Sequence, residues 1–127
     1  MKHSVMLTIA SLLSVLFLTL HLTDDIVRGF EKGGVSNLTA VPIFVVWLYG
    51  TLVLAERPSG YVIILLGSLL GLGVPVIHMM GKGVGGEFAK PSGALFFWTL
   101  IALGVTALFS VILSVRGLSS LPWRARR

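Results

Sequence analysis

Four stretches of the chain, residues 4–22, 38–55, 61–80 and 93–115, contain no Lys, Arg, Asp or Glu. Each is about 20 residues long, the length at which a helix crosses a hydrocarbon core of about 30 Å. Lipid offers no partner to backbone N–H and C=O groups, so such segments satisfy themselves as helices. The expected fold is therefore all-α: an integral membrane four-helix bundle with up-down-up-down order. The whole chain, 1–127, forms one transmembrane domain, with 116–127 as a basic cytoplasmic tail.

Composition agrees. The chain is 55% hydrophobic and 12% charged, where soluble domains are about 45–50% apolar and about 25% charged. It has no cysteine, which excludes disulfides, thiolate metal sites and thiol redox chemistry. The first run follows Lys2 and His3, as a signal peptide would. It lacks a small-x-small cleavage site and is long for such a core, so it reads as a retained span.

Charge sets the expected orientation. Arg116, Arg124, Arg126 and Arg127 cluster near the C-terminus. Beside a span they act as a topology anchor that attracts anionic lipid, not as a nucleic-acid arm. With four spans both termini share a side. That side holds Lys2, Arg57 and the four tail arginines, against Arg28, Lys32, Lys82 and Lys90 on the other. The bias puts both termini in the cytoplasm, as in a multi-pass protein of a bacterial inner membrane.

"ERPSG", residues 56–60, makes a tight inner turn. The outer connections, 23–37 and 81–92, are longer and hold Asp24, Asp25, Glu31 and Glu87. "GKGVGGE" matches G-x-G-x-x-G at Gly81, Gly83 and Gly86, but it follows a membrane helix where the dinucleotide motif needs a strand. Gly67-x-x-x-Gly71 provides a small packing face, as do Thr106, Ser110 and Ser114 at steps of four. Pro75 removes a hydrogen bond and should kink its helix. Trp47 and Tyr49 fall mid-span and should face other helices, where their polar atoms find partners. Phe96, Phe97 and Trp98 read as an outer aromatic belt.

"HLTDD", residues 21–25, raises the main functional question. Two readings compete. In one, the span ends near Leu22 and Thr23 caps a short surface helix, with Asp24 and Asp25 in its first turn and Arg28 as their partner. In the other, it is part of a site. His21 and Asp25 stand at i and i+4 on one helix face, a spacing that lets two side chains share an ion. His78 lies at a similar depth in the third span, and ionisable groups there point to function. His21, Asp25, His78 and Glu87 are then candidate ligands for a divalent metal. The two imidazoles are alternatively axial ligands of a haem.

The sequence favours a small non-enzymatic accessory or scaffold protein, with lipids, a second copy or a larger membrane complex as partners and no nucleic acid. An outer-face metal- or haem-binding protein is the alternative. The size and the four spans are similar to those of small multidrug transporters. Their proton-coupled export needs a membrane-embedded carboxylate in the first helix, and none of the four runs holds one, so a small transporter stands third.

The orientation is directly testable. Reporters fused after Arg127 and within residues 82–90 should report opposite sides of the membrane, with the C-terminal fusion in the cytoplasm. A C-terminus on the outside would reverse the assignment.

Overall fold

A computed structural model describes residues 1–29, 33–80 and 93–121, without the side chains of Ser36 and Met80. It is an all-helical bundle of four helices: α1 (His3–Val27), α2 (Ala40–Leu52), α3 (Pro58–Met80) and α4 (Gly93–Ser120). A 3₁₀ turn, Val35–Thr39, leads into α2. α4 packs against both α1 and α3, and α2 lies against α3 and, less closely, α1.

Three helices are long and apolar enough to cross a membrane: α1, α3 and α4. α2 has only 13 residues, short of the expected span 38–55. Its length is about 20 Å at 1.5 Å per residue, and the 3₁₀ turn adds about 10 Å. Together they approach the thickness of a hydrocarbon core. Val53 to Arg57 form the turn to α3, and Pro58 takes the first helical position, where its missing N–H costs nothing. α4 continues to Ser120, so Arg116 is helical; residues 122–127 lie outside the described set.

The long helices expose apolar side chains along their outer faces, as lipid requires, and bury hydroxyls inward. Ser11, Ser14, Ser68, Ser110 and Ser114 are each 0% exposed. Trp47 is buried, as expected for a mid-span indole, and its Nε1 donates to Ser11 Oγ at 2.9 Å. Thr51 Oγ1 donates to Trp47 O at 2.8 Å and lies 2.8 Å from Ser11 Oγ. Each hydroxyl has one proton, so Ser11 donates to Thr51 and the three groups close a ring. Tyr49 differs from the expectation. It is 52% exposed and faces away from the other helices, because Trp47 two residues earlier takes the inward position.

The Gly67–Gly71 pair does lie at a tight contact, within the chain. A Cβ at Gly67 would run into the Trp47 indole, and one at Gly71 would come within 3.3 Å of Trp47 and Leu103. The glycines therefore seat a side chain; they do not simply bring two backbones together. The α4 stripe is buried at Ser110 and Ser114, but its hydroxyls do not all bond back to their own helix. Thr106 Oγ1 donates to Ala102 O at 2.8 Å, whereas Ser68, Ser110 and Ser114 have no hydrogen-bond partner among the described residues.

Gly67→Ala should lower the melting temperature in detergent, at a cost of about 1–3 kcal/mol from overpacking. Gly73→Ala is the matched control, since nothing lies within 4 Å of a Cβ there. Equal melting of the two variants would remove the indole seat as a source of stability.

Candidate metal centre

α1 does not stop at Leu22. It runs unbroken to Val27, and Thr23 Oγ1 donates to Thr19 O at 2.7 Å instead of capping a new helix. The surface-helix reading of "HLTDD" is therefore corrected: the five residues form the last turns of a continuous helix. The charge-free run 4–22 ends before Asp25, but α1 includes this residue, which is 6% exposed. A polar helix end stays ordered here because α3 and α4 pack over it. One element of the surface reading does hold. Arg28 Nε lies 2.8 Å from Asp24 Oδ2 as an ion pair.

The i, i+4 spacing stacks His21 over Asp25, with His21 Nε2 3.6 Å from Asp25 Oδ2. α3 brings His78 to the same point. Its Nε2 is 2.9 Å from His21 Nε2 and 3.5 Å from Asp25 Oδ2. Three of the four expected ligands thus converge. Glu87, the fourth, lies outside the described residues.

These spacings match those between ligands on one small ion. Bonds of about 2.0–2.1 Å at tetrahedral angles put neighbouring ligand atoms about 3.3 Å apart. The point equidistant from His21 Nε2, His78 Nε2 and Asp25 Oδ2 lies about 1.9 Å from each, by the triangle of those separations. An ion placed just off the ligand plane would meet all three at ordinary bond lengths without moving a helix.

α4 supplies two residues that sequence reasoning assigned elsewhere or passed over. Thr99 Oγ1 is 3.2 Å from His21 Nδ1. The hydroxyl proton is directed to the carbonyls of Leu95 and Phe96, each at 3.0 Å. Thr99 therefore accepts from His21 Nδ1–H, which leaves the Nε2 lone pair aimed at His78 and Asp25. A partner on the far ring nitrogen fixes both tautomer and ring angle in this way at metal-bound histidines.

Phe96 is the second. It is 6% exposed, stacked on His78 at 5.3 Å between centroids with 12° between planes, and 4.9 Å from His21. The expectation of an aromatic belt is corrected for this residue. Trp98, 65% exposed, does face outward. Phe96 and Thr99 stand at i and i+3, so both come from one face of α4. That spacing was the available signal, but only the packing shows which face it is.

The same cluster forms one wall of a cavity of about 240 Å³ between α1, α2 and α3. Its other walls include Leu18, Leu22, Phe44 and Val74. Comparison with known protein families, curated proteins and solved structures finds no match to this chain.

Thr99→Val keeps the shape of the side chain and removes the acceptor for His21 Nδ1–H. It should weaken metal binding about 10–100-fold, the usual range for loss of such a supporting partner, while His21 itself is retained. Unchanged affinity would show that Thr99 only packs.

Proposed function

We propose that this small multi-span membrane protein binds a divalent transition metal, with His21 Nε2, His78 Nε2 and Asp25 Oδ2 as ligands. The observation that carries the proposal is the convergence of these three atoms from two helices onto one ion-sized point. Two nitrogens and one oxygen suit zinc and its neighbours, with a further position left for water or another ligand. A purely structural accessory or scaffold role would not require the imidazoles to meet.

Haem fits less well. Axial imidazoles sit on opposite faces of a porphyrin, with nitrogens separated by roughly twice a metal–nitrogen bond of about 2 Å. The 2.9 Å between the two Nε2 atoms is too short for that, and Phe96 already covers both rings. With both termini in the cytoplasm, the metal end of the bundle faces outward; Glu87 lies outside the described residues, and the three converging groups leave the fourth position of a tetrahedral ion open.

Zinc titrated into the tag-free, metal-stripped protein should bind at about one ion per chain and raise the melting temperature. At a free concentration of 100 times Kd the gain is about 2.7 kcal/mol. His21→Ala and His78→Ala should each weaken binding at least about 100-fold and abolish the thermal shift. If both variants take up zinc as the parent does, the metal lies elsewhere and the proposal fails.

A further inference from the structure

The cavity beside the metal ligands is one end of a longer groove. A second cavity, of about 350 Å³, lies between α2 and α3. It shares Ile43 and Leu70 with the first. On α3 the groove is lined by Ile63, Leu66, Gly67, Leu70, Val74 and His78. These positions recur at steps of one, three and four, so they form one continuous helix face. From Ile63 to His78 that face extends about 22 Å along the axis at 1.5 Å per residue.

Its two ends differ in chemistry. The second cavity presents no charged side chain, and its floor is Trp47 over Gly67. The first ends at His21, Asp25 and His78. Ile43 and Leu70 are 44% and 52% exposed, so the groove opens sideways toward lipid. The polar end is at the membrane edge and the apolar part runs toward its interior. That is how a bilayer orients an amphiphile.

We infer that the groove holds the tail of a single-chain amphiphile, a long-chain carboxylate, whose head group binds the metal held by His21, Asp25 and His78. The inference rests on the metal proposal above. Three protein ligands leave a position open on a tetrahedral ion, and all three line the cavity. Charge selects the head. A divalent ion with one carboxylate ligand keeps one positive charge, and Asp24 and Arg28 offset each other as a pair. A monoanionic oxygen ligand neutralises the remainder. A fatty alcohol would fill the same groove but leave that charge buried, at a cost.

Trp47 reports occupancy, because bromine atoms on a chain quench an adjacent indole. The protein has three tryptophans, so Trp98→Phe with Trp123→Phe leaves Trp47 alone. This full-length protein would be placed in phosphatidylcholine nanodiscs. Stearate brominated in mid-chain and the matching brominated stearyl alcohol would be added, each with zinc and each with a chelator. The carboxylate should quench Trp47 at a level at least about tenfold lower with zinc than with chelator, whereas the alcohol should show no zinc effect.

Ile43→Phe and Leu70→Phe each narrow the groove from an exposed wall. Both should remove carboxylate quenching while calorimetric zinc binding persists, and the two positions guard against one variant misfolding. If zinc binds normally but carboxylate and alcohol quench alike, or quenching survives both substitutions, the groove holds ordinary bilayer lipid. The inference is then wrong and the metal proposal stands. If zinc does not bind the parent protein, the metal proposal fails and takes the inference with it.

Discussion

The bundle depends on one indole placed where water cannot reach it. Lipid gives α2 no hydrophobic reason to leave the bilayer and join its neighbours. Trp47 gives it another. Its N–H must find an acceptor, and the nearest one is Ser11 on α1. Its ring must fit somewhere, and only a glycine at position 67 leaves room on α3. The closed ring of Trp47, Ser11 and Thr51 leaves none of the three polar groups unpaired. It therefore ties the shortest helix to two long ones by a directional contact, which apolar packing alone would not provide.

Toward one end of the bundle a few specific contacts likewise position the proposed metal ligands. α4 contributes no ligand, yet it fixes both histidines. Phe96 covers their rings and Thr99 turns His21 so that Nε2 faces inward. α4 can do this because it packs along α1 and α3 at once. Ligands come from the helices that α4 joins, so the site reports the relative rotation of those helices.

Much of the site was legible residue by residue. The i, i+4 relation of His21 and Asp25 and the equal depth of His78 both follow from helix geometry. Hydropathy located the end of the first apolar run but not the end of its helix. Two aspartates marked an exit from lipid, yet α1 continues past them because Asp25 is covered by α3 and Asp24 pairs with Arg28. A carboxylate need not end a helix where neighbouring helices pack over it or a cation pairs with it. Phe96 and Tyr49 misled for a related reason. Aromatic residues near a membrane edge or mid-span serve either surface or core, and the residue type is the same in both.

The sequence by itself determined that the chain is helical, that its four spans carry no charge, and that its ionisable groups gather at helix ends. It also determined that Ser11, Ser14, Leu18, His21 and Asp25 share a face of α1, since that follows from 3.6 residues per turn. Only the tertiary structure decided which face of each helix turns inward. In a soluble bundle the polar face marks the outside, so the sequence carries the rotation. In lipid the outside carries no polar mark, and the inward faces are marked only by scattered hydroxyls and small residues. The rotation is set instead by a few specific fits: an indole over a glycine, a hydroxyl on an imidazole, a phenyl ring against two histidines. Those fits bring His21, Asp25 and His78 to one point.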